Sequence, residues 1–183
     1  MDNPIGSDID RQLVDQFRGA PGDGRREAFL ELYERHAGRL HGFLLRATRS
    51  PHLADDLTQE AFLHALDGMD RFSGNSSFKT WIYRIAMNLL KDHHRKMKTT
   101  AQPDENASGG EPTPADAAER NEEVQRVRAA LGALPEGLRA PVILVRFEGM
   151  KYREAAETLG LSVDALRMRV HRAYMALAAA LKE

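Results

Sequence analysis

The chain has no cysteine in its 183 residues. That absence excludes disulfides, thiolate metal centres and cysteine nucleophiles, and it suits a reducing compartment. There is also no apolar run of membrane-spanning length and no cationic stretch followed by an apolar one at the N-terminus. Neither a membrane span nor a secretory leader is therefore expected, and the protein is expected to stay in the cytoplasm. What is present, 42% hydrophobic and 29% charged residues, is the composition of a soluble globular protein. The length allows one core of ordinary size or two small ones.

The net charge of −1 hides an alternation of sign along the chain. Met1 to Asp70 sums to −5, Arg71 to Lys98 to +6, Thr99 to Glu123 to −6 and Val124 to Glu183 to +4. Blocks of opposite sign point to separate surfaces with separate partners.

The most concentrated block, Arg71 to Lys98, reads RFSGNSSFKTWIYRIAMNLLKDHHRKMK. Ser73 to Ser77 is a loop by composition, because glycine frees the backbone while serine and asparagine offer it local hydrogen-bond partners. From Phe78 onward, Phe78, Trp81, Ile82, Ile85 and Leu89 recur at helical spacing on one stripe. Arg84, Lys91, Arg95 and Lys98 form a second stripe on roughly the opposite side. Seven cations against one acid, with Phe72, Trp81 and Tyr83 interleaved, supply what a single-stranded nucleic acid needs: charge for phosphates and ring faces for unstacked bases. A solvated basic face beside ordinary core aromatics has the same composition, so charge alone leaves both readings open.

Before this block, Met1 to Ser7 reads as a loose end and Asp8 to Gly19 as a short helix with Ile9, Leu13, Val14 and Phe17 on one face. A second helical period runs through Phe29, Leu32, Tyr33, His36, Leu40, Phe43 and Leu44 to the break at Ser50-Pro51. His36 lies on its apolar face and reads as a packed core residue. A third runs from His52 to Met69, with Leu53, Leu57, Ala61, Phe62, Ala65 and Leu66 inward and Asp55, Asp56, Gln59 and Glu60 outward. Those acids, with His64, can be read as a divalent-metal site, as a solvated helix start near the positive dipole end, or as a docking surface for a protein.

After it, Thr99 to Arg120 holds three prolines, two glycines and no large apolar residue, the composition of an extended acidic linker. Val124, Val127, Leu131 and Leu134 then mark one helix, and Pro135 opens another that leads through Leu138, Val142 and Val145 to Gly149. A short helix over Lys151 to Leu159 closes at Gly160, and Ser162 can cap a last helix to Leu181. Helix, glycine turn, helix is helix-turn-helix spacing. In the last helix Val163, Leu166, Val170, Tyr174, Leu177 and Leu181 share the inward stripe, leaving Met168, His171, Arg172 and Met175 outward, flanked by Arg167 and Arg169. No second ligand of metal-site spacing lies near His171, which makes it a poor metal ligand.

In this order the strings FLELYERHAGRLHGFLL, HLADDLTQEAFLHAL, RFSGNSSFKTWIYRIAMNLLKDHHRK and LPEGLRAPVILVRFEGMKYREAAETLGLSVDALRMRVHRA resemble the extracytoplasmic-function sigma factors of bacterial RNA polymerase, in the sigma-70 family. The resemblance covers most of Phe29 to Ala173. It implies an all-α chain of two small helical domains, sigma region 2 over 8–98 and sigma region 4 over 121–183, joined by the linker at 99–120. It implies core RNA polymerase and promoter DNA as partners, an anti-sigma factor as inhibitor, and no catalytic residue, metal or cofactor.

Carried over by position, Asp55, Asp56, Leu57, Gln59, Glu60 and Phe62 match the polymerase-binding helix. Phe72, Asn75 and Ser76 fall in the loop that receives an extruded base of the minus 10 element. Lys79, Trp81, Arg84, Asn88, Lys91 and Arg95 fall on the helix facing the melted strand. Base extrusion costs a few kcal/mol, so stacking and cationic groups are what that pocket requires. In region 4, Arg167, Met168, His171 and Arg172 match positions that read the minus 35 duplex, with Lys151, Arg153 and Ser162 on the DNA backbone. Met168 stands where the family commonly has a small hydroxyl residue, and Gly137 and Pro141 predict a late start or a kink in their helix. Two other classes fit parts of the pattern: a DNA-binding regulator using the helix-turn-helix alone, and a metal-dependent hydrolase built on Asp55, Asp56, Glu60 and His64.

Overall fold

A computed structural model describes residues 4–99 and 122–182, and among these the chain is helical with no strand. The linker predicted over 99–120 lies, apart from Thr99, outside the described residues. The first helix, α1, spans Pro4–Gly19 and so begins ahead of the Asp8 start expected from the apolar pattern. Proline suits a first turn, where its missing N–H has no partner to lose.

Gly22, at φ 50°, turns the chain into α2 (Asp23–Thr48), which buries Leu32, His36, Leu40, Phe43 and Leu44 along one side. Arg49 closes that helix in the left-handed region at φ 60°, its N–H donating to the Leu45 carbonyl. Ser50 then caps α3 (Pro51–Gly68), accepting from the Leu53 N–H at 3.3 Å, with Pro51 in the first turn. A 3-10 turn over Met69–Arg71 and a loop turning at Gly74 (φ 73°) lead to α4 (Phe78–Thr99). Ser77 caps α4 by accepting from the Thr80 N–H at 3.1 Å.

These four helices share a core of Phe17, Leu32, Phe43, Phe62, Ile82 and Tyr83, all buried. Fully burying each such side chain contributes about 1.5–3 kcal/mol. Asp10 of α1 is buried with them and accepts from Arg35 Nε at 2.9 Å, while its other oxygen lies 2.8 Å from His36 Nε2. His36 is thus a core residue with a partner, its ring set against Phe78. Burial pushes the Asp10 carboxyl up, but the hydrogen bonds and charges of His36 and Arg35 outweigh it and hold the group below its ordinary value.

The C-terminal group has three shorter helices, α5 (Glu122–Ala133), α6 (Glu136–Val142) and α7 (Tyr152–Leu159), and a longer last one, α8 (Val163–Ala180). Helix α6 starts directly after Pro135, not late as its glycine and proline suggest, and it does not break at Pro141. It widens instead into a π-turn over Ile143–Phe147, closed by the Glu148 N–H donating to the Ile143 carbonyl at 3.0 Å. Gly149 and Gly160, at φ 66° and 67°, make the two sharp turns on either side of α7.

Ser162 caps α8, and Leu166, Val170 and Ala173 face inward. Tyr174, expected on that stripe, is exposed, because the 166–170–173–177 sequence of four- and three-residue steps gives the inward place to Ala173. The two helical groups are not apart. Helix α7 packs on α4, and the buried apolar residues of both groups form one continuous cluster.

Candidate nucleic-acid interface

Helix α4 is the element on which the nucleic-acid expectations concentrate, and its environment differs from a helix with one solvated face. Phe78 and Ile82 are buried as the apolar stripe predicts, but so are Tyr83, Ala86, Met87 and Leu90. Tyr83 is therefore not a ring available to a base. It is 0% exposed, lies 5.2 Å from the Phe43 ring, and donates its hydroxyl to Glu148 Oε2 at 2.7 Å. Burial, with the Glu148 charge behind it, raises the phenol far above its ordinary range, so it stays a donor at any working pH.

The loop and the rest of α4 divide into covered and open positions. Phe72 is buried and stacked on Trp81, ring centroids 4.6 Å apart, while Trp81 keeps a partly exposed edge. Asn75 is exposed and Ser76 half-buried. Lys79 donates to the Glu148 carbonyl at 2.6 Å, Arg84 pairs with Glu157 at 3.0 Å, and Lys91 donates to the Leu159 carbonyl at 3.0 Å. Asn88 and Arg95 are exposed, Arg95 pairing with Asp92 one turn back at 3.0 Å.

Helix α8 presents an open outer side. Arg167, Met168, His171 and Arg172 are all exposed, as are Lys151 and Arg153 at the start of α7 and Ser162 at the cap of α8. Met168 is 54% exposed and Met175 62%, large apolar surface that nothing among the described residues covers. A helix with cations, a polar ring and a flexible thioether on its free side has the chemistry of a major-groove reader, where methionine can meet a thymine methyl.

On α3 the six residues named for polymerase binding split. Asp55, Asp56, Gln59 and Glu60 are exposed, whereas Leu57 and Phe62 are buried, Phe62 against Tyr33 at 4.7 Å. Leu66, expected inward, is 41% exposed, and Leu63 beside it is 62% exposed. Leu30 and Tyr33 of α2 are exposed as well, and Leu30 and Leu66 line one cleft; Leu63 escapes the sequence pattern because it falls one turn beyond Glu60 on what reads as a polar edge. The acids do not gather for a metal. His41 Nε2 lies 2.9 Å from Asp55 without the alignment of a hydrogen bond, and Glu60 and His64 are 3.8 Å apart. Among the described residues no three His or acidic side chains are placed to hold an ion.

Comparison with known families accounts for both halves of this arrangement. Residues 32–100 match the model of sigma-70 region 2 and residues 124–177 that of sigma-70 region 4. The RNA polymerase sigma factor CarQ of Myxococcus xanthus is 35% identical over 88% of this chain and 91% of its own. The chain belongs to the extracytoplasmic-function group of the sigma-70 family. The RNA polymerase sigma-H factor of Pseudomonas aeruginosa is 31% identical, with 94% of each chain covered. Among solved structures, the sigma factor RpoE of Bartonella quintana, in complex with the anti-sigma factor NepR, superposes with a TM-score of 0.74 at 25% identity, covering 84% of this chain and 96% of that one. Among the described residues of this sigma factor, no helix is long and apolar enough to cross a membrane.

Proposed function

We propose that this sigma factor is a dissociable promoter-specificity subunit, not an enzyme, that acts in the cytoplasm by bringing core RNA polymerase to its promoters and opening them through binding. Residues 8–98 act as the region 2 unit and 121–183 as the region 4 unit, with 99–120 as their tether. The observation that carries this reading is the pair of dissimilar surfaces on one chain: an aromatic and cationic helix start at Trp81 and an open basic side on α8. Asp55, Asp56, Gln59 and Glu60, with the exposed Leu63 and Leu66, engage the polymerase, and Leu57 and Phe62 hold that helix in place from beneath.

Trp81 receives the extruded base with Phe72 stacked behind it, and Asn75, Ser76, Lys79, Arg84, Asn88, Lys91 and Arg95 line the strand. Arg167, Met168, His171 and Arg172 read the minus 35 duplex, with Lys151, Arg153 and Ser162 on phosphates. The likeness to a sigma factor captured with its anti-sigma factor supports an inhibitor of that class here. Transcription reconstituted from core polymerase, this protein and fragmented genomic DNA tests the whole reading. Discrete promoter-dependent products are expected; their absence from every fragment refutes it.

A further inference from the structure

Gly68 closes α3 with an ordinary right-handed backbone, φ −92° and ψ −7°, inside a helical run that continues through the 3-10 turn over Met69–Arg71. No turn there demands glycine, and alanine is the better helix former because it loses less backbone freedom. What the missing side chain leaves is room. A Cβ on Gly68 would stand 3.2 Å from Trp81 Cζ2 and 3.5 Å from Cη2, the first closer than ordinary van der Waals contact. Both atoms belong to the far end of the indole, which a phenylalanine at the same position lacks.

The indole is set by other neighbours as well. Phe72 stacks on it at 4.6 Å and Phe78 meets it edge-on at 5.9 Å, and both of those rings are buried. The turn that follows Gly68 is pinned from two directions: Met69 is fully buried, and Asp70 accepts from Arg25 Nη2 of α2 at 2.8 and 3.0 Å. A side chain at residue 68 therefore meets a fixed backbone and packed rings, and the partly exposed indole is what yields. Stacking depends on the offset and tilt of the two ring planes, so a displaced indole holds a base less well.

We propose that Gly68 is a positioning residue for strand capture: the space it leaves sets the pose of the Trp81 ring against Phe72, and that pose is the one in which the indole meets an unstacked base. The inference rests on the reading of Trp81 as the ring that receives the extruded base. Gly68 itself touches no nucleotide. It acts through Trp81 alone, from the end of a different helix, and gives up helix stability to keep the ring in place.

Trp81 is the single tryptophan of the chain, so its fluorescence reads the ring directly. In the full chain, Gly68→Ala is expected to shift that emission to the red as the indole moves toward solvent. Affinity is read on polymerase holoenzyme, with a labelled single-stranded oligomer from the non-template strand of a promoter recovered by the genomic transcription above. It is expected to fall about threefold in Gly68→Ala and about tenfold in Trp81→Ala. In a Trp81→Phe chain, which keeps a ring but lacks the two crowded atoms, adding Gly68→Ala is expected to change nothing. Unchanged emission or unchanged affinity in Gly68→Ala overturns the inference. So does an equal loss in the parent and Trp81→Phe chains, the result of a merely structural role. Full affinity in Trp81→Ala removes the base-receiving role of Trp81, and this inference with it; loss there without loss in Gly68→Ala removes the positioning role alone.

Discussion

The two helical groups are built on different economies of packing. Every buried Phe or Tyr among the described residues (Phe17, Phe43, Phe62, Phe72, Phe78 and Tyr83) lies before residue 99, while Phe147, Tyr152 and Tyr174 of the later group are exposed. The N-terminal group uses long helices clamped by large rings; the C-terminal group has aliphatic contacts at Ile143, Leu144 and Leu166 and helices of seven and eight residues at α6 and α7. Helices so short are not stable alone, so that group depends on its packing partners, α4 among them. The difference fits the proposed division of labour, in which the first group opens a duplex and must resist deformation, while the second reads an intact groove and needs only to present a helix.

The largest effect that can break this comparison is in the aromatic core. Phe43→Ala is expected to cost about 3–5 kcal/mol in urea unfolding, against about 2–3 kcal/mol for Leu166→Ala in the aliphatic core. Equal losses contradict the asymmetry. Next comes the buried ion cluster. Asp10→Asn is expected to cost about 2 kcal/mol, since it removes charge-assisted bonds to Arg35 and His36. The sign with pH follows from the lowered carboxyl: its contribution is present above the ordinary value of 3.8 and is lost as pH falls through the depressed one. Melting temperature followed downward from pH 5 should therefore fall more steeply in the parent than in Asp10→Asn.

Functional substitutions sharpen the comparison further. Trp81→Ala is expected to impair strand opening while sparing polymerase binding. Arg172→Ala should weaken minus 35 binding by about 1–3 kcal/mol if it holds a base bidentately, without changing opening on DNA already mismatched at the minus 10 element. Both are read by filter binding on duplex and pre-opened templates. The smallest effect belongs to Tyr174→Ala, expected to change stability by less than about 0.5 kcal/mol because the ring is solvated. A loss typical of a core residue would place Tyr174 back on the inward stripe.

Much of this architecture is readable from local pattern. The apolar periods of α2, α3 and α8, the serines that cap α3, α4 and α8, and the glycines at the turns around α7 each act within a few residues, where spacing arguments hold. The outward positions of Arg167, Met168, His171 and Arg172 follow from the same arithmetic. What periodicity does not carry is contact between distant segments. Tyr83 reads as a free ring because nothing near it in the chain announces Glu148, 65 residues away. Arg84 and Lys91 read as part of a free basic stripe, and Lys79 as a strand-facing cation, for the same reason. Tyr174 and Leu66 fail differently: each sits at the border of an apolar arc, where a step of 100° per residue leaves the choice to the neighbour that fits.

The central claim is that one chain holds a promoter in two physical states, paired upstream and opened near the start site. Permanganate and hydroxyl-radical footprinting of the polymerase complex on one promoter tests it most directly. The account predicts unpaired, permanganate-reactive thymines at the minus 10 element together with protection of intact duplex at the minus 35 element. Protection of duplex at both, with no reactive thymine, would contradict it.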